Sequence, residues 1–162
     1  MNAPHKLALF LAAIAVAVPQ PVSAKAPSKA WAGTWDLNSA KSKFSSPDSA
    51  TKSETRTYTV SGNRLTMRST MVDAAGKTIK WSYSAGLDGK WYRMIGNPNA
   101  DQISLTSVGK REVKSQARLN GKASARATAT LSADGKQITI RRSILTAKGG
   151  PTDDTLVYDR MK

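Results

Sequence analysis

The chain has 162 residues, with 25 Lys+Arg against 11 Asp+Glu, one His and no Cys. The absence of Cys excludes disulfides, thiolate nucleophiles and zinc–thiolate sites. The one histidine, His5, falls in a segment read below as cleaved. A mature chain without it has no Ser-His-Asp or Cys-His catalysis, no His-ligated metal and no neutral-pH histidine switch.

Residues 1–24 read as an export signal. Lys6 supplies the positive start, Leu7 to Val18 is an apolar run of 12 residues, and Pro19 and Pro21 break it. Val22-Ser23-Ala24 then puts small or medium residues at the positions a signal peptidase reads. As a helix the run spans ~18 Å, short of a ~30 Å hydrocarbon core; the rival reading is a buried N-terminal helix. Removing the leader with Lys6 leaves 24 Lys+Arg against 11 acids, a net charge of +13 over 138 residues. A periplasmic or secreted protein is expected, with a core that holds together without disulfides. Residues 25–32, with Pro27 and Ser28, read as a short linker, and residues 33–162 as the folded domain.

No stretch of a dozen residues beyond the linker has the apolar spacing of three and four that marks a helix. Gly-Lys or Gly-Gly pairs recur instead, at Gly76, Gly89, Gly109, Gly121, Gly135 and Gly149, with spacings of 13, 20, 12, 14 and 14. The long gap holds its own turn, Gly96-Asn97-Pro98-Asn99. Asp88-Gly89, Asn120-Gly121 and Asp134-Gly135 are dipeptides that accept the positive φ of tight hairpins.

Between these turns the residues alternate. Ile79, Trp81, Tyr83 and Ala85 share one face against Lys80, Ser82 and Ser84; Val113, Ser115, Ala117 and Leu119 do so against Lys114, Gln116 and Arg118. Ala123, Ala125, Ala127, Ala129 and Leu131 form a third, unusually small apolar face. Period two with one polar face predicts half-buried antiparallel strands, at roughly 33–37, 54–60, 64–72, 77–85, 90–95, 102–108, 112–119, 122–131, 137–146 and 154–161. Consecutive strands on short turns suit an up-and-down barrel, which removes sheet edges. A sandwich, the main rival, more often needs a long crossing connection, and only Asn38 to Lys52 is poor in turns. The fold class expected is all-β: an antiparallel up-and-down barrel of about eight to ten strands.

An outer-membrane barrel is disfavoured. One face of each strand is rich in Thr, Ser, Lys and Arg, the other is partly Ala and Ser, and the chain ends in Met161-Lys162. The acids also speak against hydrolysis. Asp73, Asp88, Asp101, Asp134, Asp153 and Asp154 fall in predicted turns, where Asp bonds its own backbone, and Glu54 and Glu112 are lone acids near strand starts. Asp153-Asp154 lacks the further spaced ligands of a cation site. No catalytic residue, metal or cofactor is expected. Ten strands walled by small residues can enclose a pocket for an apolar or amphipathic molecule. Alternatively, Trp31, Trp35, Trp81, Trp91, Tyr58, Tyr83, Tyr92 and Met67 fill that space.

Gly33-Thr34-Trp35 at the first strand, with Arg160 near the end of the last, resembles the calycin pattern of lipocalins and fatty-acid-binding proteins. The resemblance implies that Trp35 plugs one end of the barrel under the Arg160 cation, with Gly33 beside them. It also implies that Tyr158 and Arg160, if turned inward, hold a ligand carboxylate. A broader likeness links the chain to a family of small secreted bacterial proteins described as lipocalin-like. It rests on Gly33-Thr34-Trp35-Asp36-Leu37-Asn38 with Ala40-Lys41-Ser42-Lys43-Phe44, Asp88-Gly89-Lys90-x-Tyr92 with Gly96-Asn97-Pro98, Ser132-x-Asp134-Gly135-Lys136 and Val157-Tyr158-Asp159. That likeness implies fold and secretion and says nothing of chemistry.

The expectation is a non-enzymatic, monomeric protein that binds a small amphipathic or anionic, lipid-like ligand. Trp81, Tyr83, Arg126, Tyr158 and Arg160 are the candidate ligand contacts; Gly33, Trp35 and Arg160 are the candidates for barrel closure. The alternative is a basic module with a filled core that meets polyanions or lipid head groups of the cell envelope through its surface. Nucleic acid is not an expected partner, because export removes the chain from it and aromatics are not interleaved with the basic residues.

Overall fold

The computed structural model describes residues 27–162. The export signal expected at residues 1–24 lies outside them.

Ten strands follow one another: β1 (Gly33–Leu37), β2 (Thr51–Ser61), β3 (Arg64–Asp73), β4 (Thr78–Gly86), β5 (Asp88–Ile95), β6 (Gln102–Ser107), β7 (Glu112–Leu119), β8 (Lys122–Leu131), β9 (Gln137–Ile144) and β10 (Asp154–Arg160). Each pairs antiparallel with its chain neighbour, and β1 pairs with both β2 and β10, so the sheet closes on itself. The fold is a ten-stranded, closed, up-and-down β-barrel. The turns explain the order. At Asn120-Gly121 both residues take positive φ, 51° and 78°, the geometry of a two-residue hairpin whose twist matches its strands.

Alternation sorts the side chains. Tyr58, Leu65, Met67, Tyr83, Met94, Ile103, Leu105, Ile138 and Ile140 are buried inside, and their chain neighbours face out. Three local departures correct the sequence reading. A bulge opposite Ala117/Arg118 takes Ala123 out of the small-residue face: Ala123 is exposed and Ser124 is buried in its place. Asp88-Gly89 is not a hairpin turn but lies inside β5, next to a second irregularity between Asp88 and Trp91. Trp91, a core residue only under the alternative of a filled barrel, stands outside under the Arg118 guanidinium, which lies 4.2 Å from its ring centroid.

The two ends of the barrel differ. At one end the segment read as a linker packs against the barrel: Lys29–Trp31 forms a 3-10 turn and Trp31 is buried. Its backbone and indole are tied to the β6–β7 turn by Ser28 N–H and Trp31 Nε1–H, which both donate to the Lys110 carbonyl. At the other end the connection from β1 to β2 crosses the barrel mouth. It contains a second 3-10 turn, Pro47–Ser49, and is pinned to β10 through the Lys43–Thr155 bridge.

Candidate functional site

Closure is built on Trp35. The indole is fully buried and its Nε1–H donates to the Trp31 carbonyl at 3.2 Å. Trp35 and Arg160 are register partners across β1 and β10, and the guanidinium lies 4.1 Å from the ring centroid. Arg160 Nε–H donates to the Gly135 carbonyl at 2.8 Å and Nη1–H to the Ala32 carbonyl at 2.8 Å; Nη2–H donates to the Ala30 carbonyl. Gly33, at φ 137°, leaves the room that the Arg160 guanidinium occupies. Arg160 is thus committed to the closed end, which corrects its place among the ligand contacts: one guanidinium cannot cap Trp35 and also reach a ligand inside.

Above this plug lies an internal cavity of about 420 Å³. Its apolar wall includes Leu65, Ile79, Met94, Leu105, Val113 and Ile140, and its smallest side is Ala117 with Ala125, Ala127 and Ala129. The sum of these short side chains leaves the space. A filled core is therefore not what the barrel has. The rim is formed by Ser49 to Thr51, Asn97 to Ala100 and Asp73.

The expected ligand contacts separate. Trp81 and Tyr83 line the cavity, their rings 6.2 Å apart. Burial pushes the Tyr83 phenol well above its ordinary value, so it stays a neutral hydroxyl. Arg126 also borders the cavity, but it is exposed and alternates with Ala125 and Ala127 along β8, so its charge stands in solvent and not in the buried interior. Tyr158 is inside but engaged: its hydroxyl donates to Glu54 Oε2 at 2.5 Å. Burial raises its pKa well above the ordinary value and the Glu54 charge adds to this, so the phenol remains a donor.

Sequence reasoning missed the charged group at the centre of the site. Glu54 and Arg56 both point inward from β2, buried to 3% and 8% exposure. Arg56 Nε lies 2.8 Å from Glu54 Oε1 and Nη2 lies 3.1 Å from Oε2. Ser69 Oγ–H donates to Oε1 at 2.5 Å. Burial alone would raise the Glu54 pKa, but the Arg56 charge and the bonds from Arg56, Ser69 and Tyr158 outweigh it and hold the carboxyl below its usual range. The Arg56 guanidinium, which reaches the cavity, sits between the rings of Trp81 at 5.3 Å and Tyr158 at 4.7 Å. The signal was in the chain: Glu54 and Arg56 are in phase with Tyr58 and Val60, so the inward face of that strand was bound to carry a charge pair.

A second pair braces the mouth. Asp154, read as a turn acid, is fully buried at the start of β10 and meets Arg142 Nη2 at 2.9 Å. Its other oxygen accepts from Ser45 N–H, Ser45 Oγ–H and Ser49 Oγ–H at 3.0, 3.1 and 2.9 Å. Burial would raise this carboxyl too, but these bonds and Arg142 lower it. Among the described residues no three of His, Cys, Asp or Glu gather as a metal site.

With this geometry the barrel can be compared with known proteins. No family model matches the chain, and no curated protein matches it in sequence. Among solved structures it is similar to the zebrafish ileal bile acid-binding protein in complex with cholic acid, at 9% identity and a TM-score of 0.52. The match covers 82% of this chain and 99% of that one. The likeness defines the class of fold: this is a calycin-like barrel of ten strands.

Proposed function

We propose that the protein binds a small amphipathic, lipid-like molecule inside the barrel, without chemical turnover, in the periplasm or outside the cell. The observation that carries this reading is the cavity of about 420 Å³, bordered by Trp31, which packs on the closed end where Arg160 covers Trp35, apolar in much of its wall and polar at a few fixed points. Its size and lining are those of a small-molecule site. The cholic acid complex named for the similar structure is in keeping with this. The test is a titration of residues 25–162 with fatty acids, fatty alcohols, bile salts and porphyrins, followed by tryptophan fluorescence. Trp81 lines the cavity, so occupancy should give a saturable change; silence across the panel overturns the proposal. Cell fractionation of the full chain tests the compartment.

One observation favours an additional surface role. Lys114, Arg126 and Arg141 are exposed on the outer face of β7, β8 and β9, with Lys114, Thr128 and Arg141 in direct register. Such a strip attracts anionic envelope surfaces. Binding to anionic vesicles that falls steeply with salt supports this role, since exposed charges are screened within about 10 Å at 0.1 M salt; binding indifferent to salt removes it.

A further inference from the structure

We infer that the cavity selects an uncharged amphipathic molecule, one whose hydroxyl or carbonyl oxygens meet Thr51, Ser124 and Trp81, in preference to a carboxylate. The inference deepens the internal-binding reading above and rests on it.

Two independent observations lead here. The first is a set of polar atoms that the fold leaves unused. Thr51 Oγ1, Ser124 Oγ and Trp81 Nε1 are buried and have no hydrogen-bond partner among the described residues. Thr51 and Ser124 are exposed to only 3% and 2%. All three residues line the same cavity, from β2, β8 and β4. Buried polar groups are nearly always satisfied, and leaving one unpaired costs stability. Two hydroxyls, each donor and acceptor, and one indole donor together suit neutral oxygen functions. The β8 bulge is what puts Ser124 there: without it the inward position would belong to Ala123.

The second observation is the charge balance. Three arginines border the cavity: Arg56 and Arg142 each already hold a buried carboxylate, Glu54 and Asp154, and Arg126 is exposed to solvent. The two buried pairs are neutral as built. A ligand carboxylate would add one uncompensated charge to a water-poor space, where the Arg56 guanidinium it could approach is already neutralised by Glu54. Asp48 and Asp73 add carboxylates at the rim. An unpaired charge in such a place is strongly penalised, whereas a neutral head group is not. Arg126 alters the balance little, because although it borders the cavity its side chain is exposed to solvent, which screens its charge.

The experiment compares ligands that share one alkyl chain. Residues 25–162 are titrated at neutral pH with 1-dodecanol, dodecanoate and dodecylammonium, below their aggregation limits, by tryptophan fluorescence and calorimetry. The expected result is dodecanol about ten-fold or more tighter than either ion. Dodecanoate or dodecylammonium binding as tightly as dodecanol overturns the inference and leaves the binding reading intact. No binding of any of the three overturns both. The variant pair Thr51→Val and Ser124→Ala removes the unused hydroxyls without straining the fold. Combined, they should weaken dodecanol about five-fold while the chain stays folded by circular dichroism. Unchanged dodecanol affinity in the folded double variant assigns the hydroxyls no part in recognition and overturns the inference.

Discussion

Arg56 faces Trp35 across the β1–β2 ladder and holds Glu54, two residues away on its own strand, at 2.8 Å. The plug and the buried charge pair are therefore neighbours: Trp31, whose carbonyl accepts from the Trp35 indole, lines the cavity together with Tyr58 and the already neutralised Arg56 guanidinium. Tyr158 completes the arrangement by bonding Glu54 from β10, which ties the first, second and last strands together where the barrel closes.

Removing one member of that pair should be costly. Glu54→Ala leaves the Arg56 charge buried and unpaired and takes the acceptor from Ser69 and Tyr158. A loss of about 3–5 kcal/mol is expected in denaturant unfolding. Replacing both residues with apolar ones of similar volume should cost far less, because the desolvation of both charges disappears with them. A single variant as stable as the parent would show that the pair contributes nothing.

The same carboxyls set the pH response. Glu54 and Asp154 are held below their ordinary values in the folded chain. A group depressed on folding contributes stability that is complete above its unfolded pKa, about 4 for these residues, and is lost as pH falls through the folded value. Unfolding midpoints should thus be level near neutrality and fall from about pH 4 downward. Glu54→Gln should flatten the acid limb; an equal slope in the variant counts against Glu54 as a source.

Closure can be tested at three positions. Trp35→Ala opens a cavity under the plug and should cost about 3–5 kcal/mol. Arg160→Ala, which loses the stacked cation and its carbonyl bonds but leaves the indole packed, should cost less than Trp35→Ala; the cation–π part is about 0.5–2 kcal/mol. Gly33→Ala places a methyl group on the Arg160 guanidinium and forces an L-residue into φ 137°, so it should disturb closure without touching Trp35 itself. Thermal midpoints of the three variants rank them, and a neutral Trp35→Ala would remove the indole from the architecture.

Much of this barrel was legible in the chain because its devices are local. Alternation marks β4, β7 and β8, and the Asn120-Gly121 hairpin is written in residues that accept positive φ. What could not be read is decided between distant strands. The Ser124 bulge depends on its register with β7, and no composition signal separates Ser124 from Ala123. Arg126 and Arg160 carry the same charge in the sequence; one ends exposed to solvent beside the cavity and the other over Trp35, because strand phase and closure geometry differ. Glu54 could be placed inward from its phase with Tyr58, yet the partners that make its burial tolerable, Ser69 and Tyr158, lie 15 and 104 residues away.

The small-residue wall gives the last prediction. Ala127 faces the cavity from the middle of β8, flanked by Ala125 and Ala129 on the same face. In a close-packed core Ala→Leu overpacks and costs about 1–3 kcal/mol. Here the added atoms enter existing space, so Ala127→Leu should leave stability unchanged or raise it by about 0.5–2 kcal/mol while abolishing the fluorescence response to alkyl ligands. Thr128→Leu, one residue on and facing outward, is the control: it should leave ligand binding as it is. If Ala127→Leu destabilises the barrel as an overpacked core would, the space is not there in solution. If it is tolerated and ligands still bind, they bind somewhere other than inside.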